Sequence, residues 1–162
     1  MERKHEKYER LIAYCQELTP VPTAVAHPCD ESSLRGAVEA AELGILQPVL
    51  VGPRARIEAV AAQFQLDVSR YELVDAPHSH AAADLAVQLA REGKAEMLMK
   101  GSLHTDELMG AVVRSGTGLR TERRISHAFI MDVPSQDRPI IVTDAAINIF
   151  PTLEDKMHIV QN

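Results

Sequence analysis

The sequence is poor in aromatic residues and in cysteine. It has no tryptophan, three phenylalanines and three tyrosines among 162 residues, so it lacks the aromatic platform on which nucleic-acid bases stack. Its two cysteines, Cys15 and Cys29, lie far apart and show no CxxC or Cys/His spacing, which argues against a structural zinc site. We therefore expect no nucleic-acid partner, no disulfide framework and no bound metal.

Long apolar stretches are also absent from the sequence. No run approaches the ~20 residues that a membrane span requires. The first ten residues, MERKHEKYER, are charged and unlike a secretory signal. Unpaired thiols are typical of reducing compartments. We expect a cytoplasmic protein with no membrane partner.

Charge is unevenly distributed along the chain. The 17 Lys and Arg residues against 23 Asp and Glu give a net charge of −6, yet five basic residues face three acidic ones between positions 100 and 124. A local positive charge attracts small anions, although a solvated basic loop would have the same composition. With 46% hydrophobic residues, the chain can bury a core without disulfides or metal.

Apolar periodicity divides most of the chain into short strands alternating with helices. Strands are predicted over residues 23–27, 48–52, 71–74 and 96–100, and helices over 8–18, 33–43, 53–64, 79–91 and 104–113. This alternation predicts parallel strands, right-handed crossovers and helices on both faces of the sheet. The predicted fold class is therefore α/β, a three-layer αβα doubly wound, mostly parallel sheet.

The last third of the chain has a different pattern. Two apolar segments, 126–133 and 139–143, are joined by only five residues, which predicts a hairpin that adds an antiparallel pair to the parallel sheet. Thr152 to Asp155 resembles a capping box, so a helix should begin there. Because no segment has the composition of a linker, we expect residues 1–162 to form a single α/β domain.

Open parallel sheets bind ligands beyond the carboxyl ends of their strands. Four turns fit this rule: 27–30, 52–54, 100–105 and 143–148. The third is the richest in groups that suit an anion: Lys100, Gly101, Ser102, His104 and Thr105. Structural roles remain open, since Ser102 or Thr105 could cap the next helix, His104 could be a turn residue, and Asp144 and Asp30 could cap helices.

Common nucleotide and hydrolase motifs are missing. The sequence contains no GxxxxGK[ST], GxSxG or HExxH. Residues 116–118 offer only GxG, and they follow a predicted helix instead of a strand. This weakens the interpretation of the chain as a dehydrogenase-like nucleotide-binding domain.

Three stretches carry a family resemblance: KGSLHT at 100–105, RRISH at 123–127 and TDAAIN at 143–148. With them, the chain resembles the phosphate acetyltransferase/phosphate butyryltransferase family over about residues 22–162. It is most similar to the forms found alone or fused to an enoyl-CoA hydratase domain. The resemblance implies reversible transfer of an acetyl- or butyryl-type acyl group between coenzyme A and inorganic phosphate. Coenzyme A is then a substrate, and no bound cofactor or metal is needed.

The resemblance also implies which residues bind substrate. They are Lys100, Gly101, Ser102, His104, Thr105, Arg120, Arg123, Arg124, Thr143, Asp144 and Asn148. Where many acetyl-specific members have an arginine, this chain reads Leu108-Met109-Gly110-Ala111, which favours a butyryl-like or broader acyl range.

Family members are longer and have two domains. Their catalytic carboxylate and their serine-arginine stretch have no counterpart here, so the catalytic residue is unknown. We expect an N-terminal portion that lacks half of the active site, with a homodimer as one expected assembly. The alternative is a non-catalytic phosphate- or CoA-binding α/β module.

Overall fold

The computed structural model of the chain describes residues 6–162. It contains two compact units, which we call the sheet unit (residues 15–120) and the ribbon unit (residues 6–14 and 121–162). Residues 1–5 of the predicted single domain lie outside the described residues, and the single-domain organisation stays a prediction. No helix of residues 6–162 combines the length and the apolarity needed to cross a lipid bilayer.

The elements alternate as predicted through the sheet unit. Helix α1 (Glu6–Gln16), most of which belongs to the ribbon unit, comes first in the chain. The elements of the sheet unit follow in the order β1 (Val21–Ala26), α2 (Glu31–Glu42), β2 (Leu46–Gly52), α3 (Arg54–Phe64), β3 (Glu72–Asp75), α4 (Ser79–Arg91), β4 (Met97–Lys100) and α5 (Thr105–Val112). Helix α4 has the predicted bounds, and the other boundaries differ by a few residues.

The strands of the sheet unit form one parallel sheet in the order β3-β2-β1-β4. In its register, Val25 of β1 lies beside Leu50 on one side and Met99 on the other. The chain proceeds outward from β1 to β3 and then returns to place β4 on the opposite side of β1. The strand order therefore reverses between β1 and β4, which is where ligands bind in open sheets of this kind.

Two apolar cores cover the two faces of this sheet. Val25, Leu50 and Ile57 belong to the core shared with α2 and α3, and all three are fully buried. Ala24, Ala26 and Val51 belong to the core shared with α4 and α5. Successive residues of β1 alternate between the two cores, as the period of a strand requires. The three-layer α/β architecture is confirmed.

The predicted hairpin is present in the ribbon unit, as β5 (Ala128–Met131) and β6 (Ile140–Thr143) paired antiparallel. These strands form a two-stranded sheet of their own, so the expectation that they extend the parallel sheet was wrong. The short connection between β5 and β6 is a local signal that the two strands pair with each other. No local signal in the sequence indicates whether either strand also pairs with the parallel sheet. All eight strand residues are exposed, and Ile130 and Ile141 retain 58% and 66% of their accessible surface.

The last helix, α6 (Leu153–Gln161), begins at the predicted capping box. The Asp155 N–H donates to the Thr152 hydroxyl at 3.2 Å, and the Thr152 N–H donates to the Asp155 carboxylate at 2.9 Å. Both bonds satisfy donors that have no partner within the helix.

Candidate anion-binding site

The turn that follows β4 packs directly against the end of β1. The Gly101 N–H donates to the Ala26 carbonyl at 2.8 Å, and the Ser102 N–H donates to the His27 carbonyl at 2.9 Å. A Cβ atom on Gly101 would lie 2.4 Å from both of these carbonyl oxygens. Only glycine allows this approach, so Gly101 sets the distance between the two turns.

Ser102 ties the same two turns together through its side chain. Its hydroxyl lies 3.0 Å from the His27 carbonyl oxygen and 3.2 Å from His27 Nδ1, and it accepts the Cys29 N–H at 3.2 Å. Ser102 therefore holds the turn after β1 and does not cap α5.

Lys100 places a positive charge on the turn. Its Nζ donates to the Leu103 carbonyl at 2.7 Å and to the Gly101 carbonyl at 3.2 Å. An ammonium group has three N–H donors, so two hold the charge in place and the third is free of these backbone contacts. The residue itself is exposed.

His104 and Thr105 stand at the start of α5. His104 occupies the N-cap position and Thr105 is the first helical residue, so the alternative in which Ser102 or Thr105 caps this helix was wrong. The His104 N–H donates to the Glu107 carboxylate at 2.9 Å. Both His104 and Thr105 are exposed, where an anion would meet the positive end of the helix dipole.

Glu107, which the sequence did not single out, joins the starts of α4 and α5. Its carboxylate accepts the Ser79 hydroxyl at 2.9 Å and lies 3.3 Å from His80 Nε2. The hydrogen bonds from the Ser79 hydroxyl and the His104 N–H, with the electrostatic effect of His80 and His104, outweigh desolvation and lower the pKa of Glu107. The carboxylate therefore stays ionised and orders the helix starts beside the turn.

The turn after β1 supplies two further residues. Asp30 caps α2, as predicted, by accepting the Ser33 N–H at 2.9 Å and the Ser33 hydroxyl at 2.6 Å. These bonds to Ser33 lower the pKa of Asp30. Cys29 is buried, and burial raises the pKa of its thiol, which makes it a packing residue with little thiolate character.

The turn at 52–54 is occupied by a protein carboxylate. The Arg54 N–H at the start of α3 donates to Asp75 at 2.9 Å. Asp75 comes from the end of β3, and no local sequence pattern indicates that it would reach this helix. This turn is therefore a weaker candidate for an external anion than the turn after β4.

Three of the remaining candidates, Asp144, Asn148 and Arg124, are joined by hydrogen bonds within the ribbon unit, and a fourth, Thr143, bonds to the backbone there. Asp144 accepts the backbone N–H groups of Ala146 and Ile147, both at 3.0 Å, and the Asn148 amide. Arg124 donates to Asn148 at 3.3 Å and pairs with Asp155 at 2.6 Å. The Thr143 hydroxyl donates to the His127 carbonyl at 2.6 Å.

The Asp144 carboxylate is strongly stabilised by this surrounding. Desolvation raises its pKa, but the hydrogen bonds from Ile147, Ala146 and Asn148 outweigh that effect and hold the pKa far below its usual range. Asp144 is therefore an anion at neutral pH and orders its own turn, as a capping carboxylate does.

Arg120 and Arg123 are exposed residues outside the regular elements. Arg120 is the last residue of the sheet unit, and the Arg123 N–H donates to the Thr121 hydroxyl at 3.1 Å. Within residues 6–162, no three His, Cys, Asp or Glu side chains are grouped so that they could hold a metal ion.

Residues 79–162, just over half of the chain, match the family model described as "Phosphate acetyl/butaryl transferase". The chain belongs to the phosphate acetyl/butaryl transferase family. The matched segment includes both candidate groups, the turn after β4 and the Asp144 turn. The family resemblance drawn from the KGSLHT, RRISH and TDAAIN stretches is confirmed.

The chain is similar both to proteins named phosphate acetyltransferase and to proteins named phosphate butyryltransferase. The chain is 63% identical over 156 residues to a phosphate acetyltransferase of Rhizobium meliloti, covering 96% of this chain and 49% of the relative. It is 36% identical over 157 residues to a phosphate butyryltransferase of Clostridium beijerinckii, covering 97% of this chain and 52% of the relative. The chain thus spans about half the length of the curated relatives it matches.

A solved structure of the same family has the same fold. The crystal structure of a branched-chain phosphotransacylase from Enterococcus faecalis V583 aligns with a TM-score of 0.67 at 25% sequence identity. The alignment covers 86% of this chain and 49% of that protein.

Replacing Gly101 with alanine should unfold or strongly destabilise the sheet unit. The new Cβ would overlap two backbone carbonyl oxygens, and overpacking typically costs about 1–3 kcal/mol, with more expected here because backbone atoms cannot move aside as side chains do. Gly110→Ala is the matched control, because Gly110 lies in α5 with no atom within 4 Å of its Cβ position. There alanine should stabilise by about 0.5–1 kcal/mol. Urea unfolding followed by circular dichroism measures both, and equal stability of the two variants would contradict the packing described.

Asp144→Asn should destabilise the ribbon unit at neutral pH and less so in acid. Because the pKa of Asp144 is lower in the folded than in the unfolded chain, its ionised form stabilises the fold above the usual aspartate pKa. That contribution is lost as the pH falls below about 4 toward the folded value. The difference in free energy of unfolding between wild type and Asp144→Asn should therefore shrink below pH 4.

The control for this series is Asp137→Asn, which removes the same charge from an exposed position in the hairpin connection. The difference between the two series isolates the hydrogen bonds of Asp144 from the loss of one negative charge. Unfolding measured from pH 7 to pH 3 tests both variants, and an Asp144→Asn difference that stays constant to pH 3 would argue against the assigned hydrogen bonds.

Proposed function

We propose that the chain provides the phosphate-binding part of a phosphate acyltransferase. The reaction is the reversible conversion of acyl-CoA and inorganic phosphate to acyl phosphate and coenzyme A. In the direction of acyl-CoA synthesis, the CoA thiolate attacks the acyl carbonyl carbon, the bond to the phosphate oxygen breaks, and phosphate leaves. Phosphate and coenzyme A are the proposed substrates, a homodimer is the proposed assembly, and the cytoplasm is the proposed compartment.

The observation that carries this proposal is the turn after β4. It lies where the strand order reverses, it follows a strand directly, and its lysine is held over the turn by two backbone carbonyls. A fixed cation next to the start of a helix suits an oxyanion, since neither group must be reorganised when the ligand binds. In such a transfer, positioning and charge neutralisation are the main contributions of the protein.

The relatives favour acetyl as the transferred group. The acetyltransferase of Rhizobium meliloti is 63% identical to this chain, and the butyryltransferase of Clostridium beijerinckii is 36% identical. The broader acyl range was expected because Leu108–Ala111 lacks the arginine of many acetyl-specific members, and two of these four residues, Leu108 and Ala111, are buried in the core with α4. Because these two side chains serve packing, we infer that they do not select the acyl chain.

The proposed active site needs residues beyond those described here. The curated relatives are about twice as long as the segment they share with this chain. The turn after β4 offers the Lys100 ammonium and the exposed Thr105 hydroxyl, but its carboxylate, Glu107, is engaged with Ser79 and His104. We infer that the carboxylate that deprotonates coenzyme A comes from the part of the family fold that this chain does not match.

Lys100→Gln should weaken phosphate binding roughly tenfold, the effect of one charge-assisted hydrogen bond of about 1.4 kcal/mol. Glutamine retains an amide that can bond the two carbonyls, so the turn should stay intact. Lys94→Gln is the control, because Lys94 is an exposed residue paired with Glu92 and its loss should change affinity less than about twofold. Isothermal titration with inorganic phosphate measures both, and equal effects of the two substitutions would argue against the turn as the binding site.

The proposed activity is tested by an assay of CoA-dependent acyl phosphate formation. We expect the 162-residue chain alone to turn over little or no substrate. Adding the second half of the Rhizobium meliloti relative should produce activity that Lys100→Gln reduces. Turnover by the chain alone at the rate of the intact relative would contradict the incomplete site. Phosphate binding without turnover in the mixture would instead favour a non-catalytic binding module.

A further inference from the structure

His27 is a buried residue in an unusual backbone conformation. It directly follows β1, its φ angle is 55°, and only 5% of its surface is accessible. A positive φ is uncommon for a residue with a side chain, although histidine, asparagine and aspartate adopt it more readily than most. A conformation of this kind persists only where the surrounding contacts determine it.

The His27 N–H donates to the Val51 carbonyl of β2 at 2.7 Å. The contacts of its carbonyl and its imidazole involve the turn after β4 or the turn of His27 itself. The His27 carbonyl accepts the Ser102 N–H and the Cys29 N–H, both at 2.9 Å, which occupies both of its lone pairs. The Ser102 hydroxyl accepts the Cys29 N–H as well. It has one proton to donate, and its two available acceptors are the His27 carbonyl and His27 Nδ1.

Because the carbonyl already accepts two N–H groups, the hydroxyl proton is best placed on Nδ1. We propose that His27 is a positioning residue whose neutral imidazole accepts the Ser102 hydroxyl at Nδ1 and so holds the Lys100–Thr105 turn against β1. The importance of this turn rests on the proposed function, but the hydrogen bond itself can be measured in the free chain.

The surroundings of the ring are consistent with a neutral imidazole. Burial lowers the pKa of His27, and the nearby Arg56 of α3 lowers it further, while Glu107 of α5 and Asp30 of its own turn act in the opposite direction. If the ring were doubly protonated, Nδ1 would become a donor and the Ser102 hydroxyl would have to turn to the crowded carbonyl.

Nitrogen-15 NMR of the imidazole rings tests this assignment in the unliganded chain. At pH 7, His27 should be neutral with its proton on Nε2, and its signals are identified by their loss in His27→Asn. In Ser102→Ala the Nδ1 acceptor bond is absent, so the Nδ1 resonance should shift. A proton on Nδ1 of the wild-type ring, or no change in Ser102→Ala, would overturn the proposal.

Two substitutions of His27 separate positioning from packing. Glycine accepts the positive φ but has no side-chain acceptor, whereas asparagine tolerates the same φ and offers a carbonyl oxygen to Ser102. We expect His27→Gly to stay folded and to bind inorganic phosphate at least about tenfold more weakly. His27→Asn should recover most of the affinity.

Equal phosphate affinity of His27→Gly and wild type would overturn the positioning role. Equal weakening in His27→Gly and His27→Asn would also overturn it, since packing alone would then explain the loss. If the wild-type chain fails to bind phosphate, the proposed function fails. The His27–Ser102 hydrogen bond is then tested by the nitrogen-15 NMR of the His27 ring and by the change in the backbone amide chemical shifts of Gly101 to Leu103 in His27→Gly.

Discussion

Hydrogen bonds between two neighbouring turns hold the candidate site together. Backbone donors of Gly101 and Ser102 meet the carbonyls of Ala26 and His27, in continuation of the β1–β4 pairing that ends at Ala26 and Lys100. Backbone hydrogen bonding between the two chain segments thus continues beyond the ends of β1 and β4. The close approach of the two backbones there requires glycine at position 101. Lys100 and the start of α5 lie on either side of this contact and are held in addition by their own hydrogen bonds.

The site also shows how a largely acidic chain can place an exposed cation at one turn of its sheet. Its acidic side chains near the turn are engaged in internal hydrogen bonds, with Asp30 held by Ser33 and Glu107 by Ser79 and His104. The Lys100 ammonium is instead held by two backbone carbonyls. The two carboxylates remain anions, but their hydrogen bonds fix their positions, so the location of each charge at the turn is determined by its partners.

The fold was predictable because its signals are local. Alternating apolar strands and helices, glycine at helix ends and the capping box at Thr152 each depend on a few adjacent residues, and the corresponding elements are present. The site was predictable only in part. Lys100 to Thr105 follow a strand and could be selected by type, whereas the roles of His27, Asp75 and Glu107 depend on partners 21 to 75 positions away. Pairing at that range is fixed by the sheet order, which a single sequence does not specify.

The exposed ribbon has a consequence for the behaviour of the chain in solution. Strands β5 and β6 present apolar side chains along two open edges, and open apolar edges are sites where strands of other molecules add. The net negative charge opposes such contacts at long range, but salt at physiological strength screens it beyond about 8 Å. Ionic strength therefore acts on the two forces unequally, weakening the repulsion between chains while leaving the attraction between their ribbons intact. The colloidal stability of the chain is in this sense a property of the buffer as much as of the sequence.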